Sequence, residues 1–292
     1  MDKRVKAAWL SVFSNITLMS SKFLVGFSIG SISVISEAIH SANDLVASFI
    51  ALFAVKKSTE PPDERHPYGH GKIENVSGTI EALLIFIAAA MIINEAVKKI
   101  FKGGQIEALG WGIIVMGASA LVNFFVSSYL LKVAKAEDSI ALEADGMHLR
   151  TDVYTSLGVC VALVLIHFTG WSIIDPIAAI LVALLIIKAA YDLTRKAFMP
   201  LVDTALDADT INIIESTLAE YKEHFVEYHK LRTRKAGRES HIDLHLVVSP
   251  YKSIQEAHDL CDKIENKIKD MIPYAHILIH VEPEINSHNS QA

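Results

Sequence analysis

Six long apolar stretches, separated by short polar ones, fill the first two-thirds of the chain. A helix needs about 20 mostly apolar residues to cross a bilayer, and each stretch is close to that length. Backbone groups in lipid must be satisfied within the segment, and the stretches lack the alternation of barrel strands, so we predict six transmembrane helices. The predicted spans cover residues 7–27, 32–55, 73–96, 108–131, 139–168 and 173–190.

The pattern changes near residue 200, where shorter segments alternate between helical and strand spacing. Residues 207–221 and 253–271 have apolar positions at a helical period, and Ser253 is the predicted N-cap of the second helix. Strands are predicted at residues 230–235, 241–248 and 275–281. This order is typical of a small two-layer α+β domain.

Composition supports the same division. Hydrophobic residues make up 51% of the chain, the mean hydropathy is +0.34, and the net charge is −6. The acidic excess and eight of the 13 histidines lie after residue 200. We therefore predict a membrane domain at 1–203, a cytoplasmic metal-binding and dimerisation domain at 204–286 and a disordered tail at 287–292. A nucleic-acid partner is excluded because no large basic block is present.

The basic residues also predict the orientation of the spans. Cytoplasmic loops carry an excess of lysine and arginine. In a six-span chain, four clusters fall on one side, at residues 3–6, 56–72, 132–135 and 195–196, whereas 98–102 falls on the other. We therefore expect a multi-pass protein of the cell (inner or plasma) membrane with both termini in the cytoplasm.

Two predicted spans contain the same His-x-x-x-Asp pattern. His40 and Asp44 lie in the second span, and His148 and Asp152 lie in the fifth. Spacing i,i+4 places both members of a pair on one helix face, and ionisable groups inside a span usually mark a substrate path. Two imidazoles and two carboxylates suit a tetrahedral divalent ion, Zn²⁺ above all. The alternative is a pair of hydrogen bonds between helices.

Three motifs in order resemble those of the cation diffusion facilitator family: residues 36–44 (SEAIHSAND), 66–74 (HPYGHGKIE) and 144–152 (ADGMHLRTD). The resemblance covers nearly the whole chain. It implies a homodimer that exports divalent metal from the cytoplasm in exchange for protons. It also implies a C-terminal domain similar to a copper chaperone, with a ferredoxin-like fold. The two His-Asp pairs match the family's transport site, and the histidine at position 40 resembles the zinc-preferring branch.

The resemblance implies two further metal sites. Asp63, His66 and His70 resemble a loop site of some members, although a polar loop with a Pro-Tyr-Gly turn also explains them. In the C-terminal domain, five residues match the family's cytoplasmic site, where two ions would bridge the dimer interface: His229, His245, His258, His280 and Glu282. Zn²⁺ is then expected both as substrate and as a structural or regulatory ligand.

Three other functions compete with zinc export by proton antiport. The first is export mainly of Fe²⁺ or another divalent transition metal, because imidazole also suits those ions. The second is a membrane-anchored metal sensor. The third is an intramembrane metalloenzyme, which lacks support because the sequence has no H-E-x-x-H motif and the His-Asp pairs would all be ligands. We therefore expect a transporter and not an enzyme.

Overall fold

The computed structural model describes residues 2–30, 32–102 and 111–284, and the chain divides into two compact units, Met1–Phe198 and Met199–Ala292. The predicted start of the fourth span (108–110) and the predicted tail (287–292) lie outside the described residues. The first unit consists of six long helices: α1 (Lys3–Ile29), α2 (Ile32–Ser58), α3 (Lys72–Lys102), α4 (Trp111–Glu137), α5 (Ile140–Thr169) and α6 (Ile174–Phe198).

All six helices are long and apolar enough to cross a membrane, which confirms the prediction of six spans. Most of them continue beyond the predicted apolar stretch into charged sequence. The last turn of α2 contains Lys56 and Lys57, and the last turn of α6 contains Arg195 and Lys196. Basic residues in the last turn of a helix interact favourably with the negative end of its dipole, so these charged turns remain helical.

Small residues allow the helices to pack closely. The most extensive contacts join α3 with α6, α1 with α2, and α4 with α5. A Cβ added at Gly26 of α1 would lie 2.8 Å from Ile35 Cγ1 of α2, and one added at Gly158 of α5 would lie 2.6 Å from Val182 Cγ2 of α6. Helices in lipid associate largely through such close packing, since lipid tails are as apolar as leucine.

A buried polar junction joins one end of the helices. The Arg4 guanidinium at the start of α1 donates to Glu74 Oε1 at the start of α3 over 2.6 Å, and both side chains are at most 2% exposed. Arg4 also contacts Asp2. Glu74 accepts hydrogen bonds from the hydroxyls of Ser58, at the end of α2, and Ser139, the N-cap of α5. The junction therefore ties together one end of four helices.

The second unit is a three-stranded sheet with two helices. Its elements are α7 (Ala208–Glu220), β1 (Glu227–Ala236), β2 (Glu239–Val248), α8 (Ile254–Met271) and β3 (Ala275–Pro283), with short 3-10 turns at Met199–Val202 and Lys222–His224. The strand order is β1-β2-β3, antiparallel between the first two and parallel between the last two. The predicted α+β organisation is confirmed. Ser253 caps α8 in a reciprocal capping box with Glu256, as predicted.

The two faces of this sheet differ in chemistry. Ile242, Leu244 and Leu246 of β2 are buried in the core with residues of α7 and α8 such as Ile214 and Ile264. Since side chains alternate along a strand, the other face carries the intervening positions of β2. Its residues on β2 and β3 are mostly polar: Glu239, His241, Asp243, His245 and Val247 on β2, and His276, Leu278, His280 and Glu282 on β3.

Candidate metal sites

The His-Asp pairs of α2 and α5 face each other in a crossed arrangement. His40 Nε2 lies 3.9 Å from Asp152 Oδ1, and His148 Nε2 lies 3.2 Å from Asp44 Oδ1. Each histidine is thus opposite the carboxylate of the other helix. Donor atoms of His40, Asp44 and Asp152 all lie within 4.8 Å of one another, and His148 joins them through Asp44. This arrangement offers nitrogen and oxygen donors to one divalent ion.

Amide side chains of α4 and α1 form hydrogen bonds with the two aspartates of the His-Asp cluster. Asn123 Nδ2 of α4 donates to Asp152 Oδ2 over 3.5 Å. Asn15 Nδ2 of α1 donates to the backbone carbonyl of Asp44 over 3.4 Å and to Ser48 Oγ over 3.1 Å. Groups that contact ligands in this way orient them for the metal. The His-Asp cluster is therefore held by four helices, two that supply ligands and two that support them.

A cavity of about 880 Å³ lies beside this cluster and runs between α2, α3, α5 and α6. Its lining includes all four residues of the His-Asp pairs. It also includes Glu95 and Lys98 near the end of α3 and Asp175 at the start of α6. Asp175 pairs with Lys99 over 3.2 Å, so one basic residue that opposed the predicted orientation has an acidic partner. The cavity thus reaches from the cluster to the helix ends opposite the Arg4–Glu74 junction.

Two carboxylates are completely buried near this cluster. Glu81 of α3 accepts a hydrogen bond from Ser77 over 3.1 Å through one oxygen, while its other oxygen has no hydrogen bond. Asp145 of α5 is 0% exposed, and neither of its oxygens is within a well-formed hydrogen bond. Its neighbours are the Ser11 hydroxyl and the His148 imidazole. Asp145 lies in the second turn of α5, where the surrounding helices enclose it.

The loop between α2 and α3 brings its three predicted ligands together. His66 Nδ1 lies 3.1 Å from Asp63 Oδ1, and His70 Nε2 lies 3.3 Å from Asp63 Oδ2. The backbone N–H groups of Arg65 and His66 donate to the Asp63 carboxylate. These hydrogen bonds, that of His66 first, hold the pKa of Asp63 below its ordinary value, so the carboxylate is ionised at neutral pH. His70 is buried, while Asp63 and His66 are exposed.

Cross-strand register assembles most of the second unit's predicted ligands. His229, His245 and His280 occupy one row across the sheet because each is paired with the next. Glu282 lies 2.7 Å from His245 Nδ1, 3.3 Å from His229 Nε2 and 3.7 Å from His280 Nε2. The contact with His245 lowers the pKa of Glu282, so this carboxylate is also ionised. We call these four residues the first histidine row.

His258, the fifth predicted ligand, lies elsewhere in the described structure. It is on α8, where its Nε2 is 3.6 Å from Asp262 Oδ2. The helix spacing between His258 and Asp262 could have indicated this pair. Within one chain, His258 does not join the first histidine row, and its role as a ligand stays a prediction.

Both units match models of known domains. Residues 8–202 match the cation efflux transmembrane domain, and residues 206–284 match the cytoplasmic domain of cation efflux proteins. Together with the six membrane-length helices and the converging His-Asp cluster, these matches define a multi-pass membrane transporter for divalent metal cations. The chain belongs to the cation diffusion facilitator family.

Relatives of similar length are named for different functions. An uncharacterized transporter of Synechocystis is 34% identical over 94% of this chain and 89% of its own. The cation-efflux pump FieF of Shewanella oneidensis is 29% identical, covering 95% and 93%. The manganese efflux system protein MneP of Bacillus subtilis is 28% identical, covering 95% of each chain. Two of these relatives are named for efflux, of cations in FieF and of manganese in MneP.

Proposed function

We propose that this protein exports Zn²⁺ from the cytoplasm by proton antiport, with His40, Asp44, His148 and Asp152 as the transport site. The observation that carries the proposal is the crossed pairing of these residues on α2 and α5, beside a cavity large enough for a hydrated ion. Two nitrogens and two carboxylate oxygens match the ligand number and type that tetrahedral zinc prefers. Transport rather than catalysis follows from the family, since its members are transporters.

Proton coupling follows from the protonation that binding requires. A histidine binds metal only when neutral, and a carboxylate binds best when ionised. In the empty site, each histidine lies near a carboxylate of the other helix and can hold a proton there. Metal and protons therefore compete for the same four side chains. Protons that enter from the acidic side displace the metal, and metal that enters from the cytoplasm displaces the protons.

The difference between the two ends of the helix bundle indicates the side of the membrane to which the transport site is open. The cavity extends to Glu95 and Lys98 at one end, and the Arg4–Glu74 junction ties four helices at the other. With both termini in the cytoplasm, as the basic residues indicate, the cavity faces away from the cytoplasm. The structure then corresponds to the state that releases metal and accepts protons.

The other predicted sites complete the proposal. The chain acts as a homodimer in the cell membrane, and the first histidine row, with His258, binds metal in the cytoplasm. Binding at a site that exists only in one folded state stabilises that state and shifts its population. Asp63, His66 and His70 form a loop site on the cytoplasmic side, supported by their mutual approach within 4.8 Å.

Transport assays in proteoliposomes test the proposal. Uptake of Zn²⁺, Mn²⁺, Fe²⁺, Co²⁺ and Cd²⁺ is measured with and without an imposed pH gradient, for the wild type and for Asp152→Asn. Asn123→Ala is the comparison variant because it removes a supporting amide without removing a ligand, so it should weaken the flux without abolishing it. We expect gradient-dependent flux that is greatest for Zn²⁺ and is lost in Asp152→Asn.

Each other outcome rejects a part of the proposal. Flux that ignores the pH gradient would reject antiport. Greatest flux for Mn²⁺, the metal for which the relative MneP is named, would reject zinc as the preferred substrate. Absence of flux for every metal, with binding retained in the C-terminal unit, would favour the sensor.

A further inference from the structure

A second group of converging donors lies on the same polar sheet face as the first histidine row. His241 of β2 and His276 of β3 are register partners, and their rings stack with centroids 5.2 Å apart and planes 17° apart. The same oxygen of Glu239, Oε2, lies 4.0 Å from His241 Nε2 and 3.8 Å from His276 Nε2. One carboxylate oxygen therefore lies close to two imidazole nitrogens.

We propose that His241, His276 and Glu239 form an additional binding site for a divalent transition-metal ion in the C-terminal unit. The chemistry of the site is two imidazole nitrogens and one carboxylate oxygen, with solvent in the remaining position. That set suits Zn²⁺ and also Co²⁺ or Ni²⁺. The proposal concerns binding within this unit and is independent of which metal is transported.

The distances from Glu239 to the two imidazole nitrogens need only a small adjustment, and the stacked rings must also rotate so that both nitrogens point at one ion. Ligands of a tetrahedral zinc ion with bonds of about 2.0–2.1 Å lie about 3.3–3.4 Å apart. The two separations of 3.8 and 4.0 Å exceed this by about half an ångström. They are similar to the 3.7 Å between His280 Nε2 and Glu282 in the first histidine row. His276 is mostly exposed, so its ring can rotate toward the ion without disturbing the core.

The ion bound here would be separate from any ion in the first histidine row. His241 and His276 each precede a member of that row by four residues. A strand rises about 3.3 Å per residue, so the two groups are about 13 Å apart along the sheet. No single ion spans that distance. In β1, the residue paired with His241 is Arg234, whereas the first row has His229 at the equivalent place, so Glu239 supplies the third donor instead.

Metal content of the full-length protein tests this site without relying on transport. The purified chain in detergent is stripped with a chelator, equilibrated at buffered free Zn²⁺ and analysed for bound zinc per chain. The variants are His276→Ala, which removes an exposed ligand, and Glu239→Gln, which keeps the side-chain shape. His224→Ala, an exposed histidine on the turn at Lys222–His224, is the matched control.

We expect both site variants to bind one zinc ion fewer per chain than the wild type, and the control to bind the same number. Equal zinc content in the wild type and His276→Ala would overturn the site. A loss in His276→Ala that Glu239→Gln does not share would overturn the three-donor set. Circular dichroism of the metal-free variants distinguishes loss of a ligand from loss of the fold, and failure of the flux assay alone would leave this inference standing.

Discussion

The His-Asp cluster of the membrane unit and the first histidine row of the C-terminal unit use the same residue types in different environments. In the membrane unit, the side chains of His148 and Asp44 are only 12% and 6% exposed, while His40 opens on the cavity. In the C-terminal unit, the histidines and Glu282 stand on an open sheet face, and His280 is 63% exposed. Charges interact more strongly where water is excluded, whereas solvent screens exposed pairs. Equivalent substitutions should therefore cost far more inside the helix bundle.

The largest effect is expected at the buried junction. Glu74→Ala leaves the buried Arg4 guanidinium with Asp2 as its remaining acidic partner, and breaking a buried ion pair typically costs about 3–5 kcal/mol. The control Glu143→Ala removes an acid that pairs with the exposed Lys196, and such pairs contribute about 1 kcal/mol or less. Thermal unfolding in detergent should show a large fall in midpoint for Glu74→Ala and a small one for the control. Equal shifts would contradict the claim that burial makes the difference.

Loss of a transport-site carboxylate should have the next largest effect. Asp44→Asn removes one ligand and the charge opposite His148, while its shape is retained. Substituting groups that merely support ligands costs about 10- to 100-fold in metal affinity, so loss of a ligand should exceed about 100-fold. Isothermal titration with Zn²⁺ measures the affinity, and Asn123→Ala should fall within the smaller range. The ranking fails if Asn123→Ala is the more damaging of the two.

The equivalent change on the open sheet should have a smaller effect. Glu282→Gln removes a carboxylate that contacts three histidines, but water and the remaining rings can replace it as ligands. Because solvent can fill the vacated position on this open face, we expect the loss of zinc affinity in the first histidine row to stay within about 10- to 100-fold, below that of the buried ligand. Transport-site affinity should be unchanged. Titration with Zn²⁺ measures the affinities of both sites in Glu282→Gln and in Asp44→Asn. A loss in Glu282→Gln as large as that in Asp44→Asn would contradict the expected difference between the open and the buried site.

The smallest effect concerns an exposed helix cap and depends on pH. Asp207 caps α7 by accepting from the backbone N–H and the hydroxyl of Thr210, and these hydrogen bonds lower its pKa. Asp207→Ala should destabilise the helix by about 1 kcal/mol at neutral pH. Because the folded-state pKa is lowered, this contribution is complete above the ordinary aspartate pKa and is lost as pH falls through the lowered value. Hydrogen exchange of α7 amides should show a difference between the wild type and Asp207→Ala at pH 7 that disappears in acid.

Local patterns predicted the elements and the candidate pairs within each element. The lengths of apolar stretches predicted six membrane-length helices, and the i,i+4 spacing placed His40 with Asp44 on one face. The N-cap at Ser253 followed from neighbouring residues alone. These features depend on helix period, backbone capping and lipid solvation, which act over a few residues or along one apolar stretch.

Contacts between distant residues required the tertiary structure. Arg4 and Glu74 are 70 positions apart, and no local pattern connects them. Helix packing also decided that His148 lies against Asp44 of another helix and that Asp145 is enclosed rather than exposed. Strand register placed His241 beside His276, residues that belong to separate strands linked through α8. Periodicity indicates which face a side chain occupies, but only packing and register determine what that face meets.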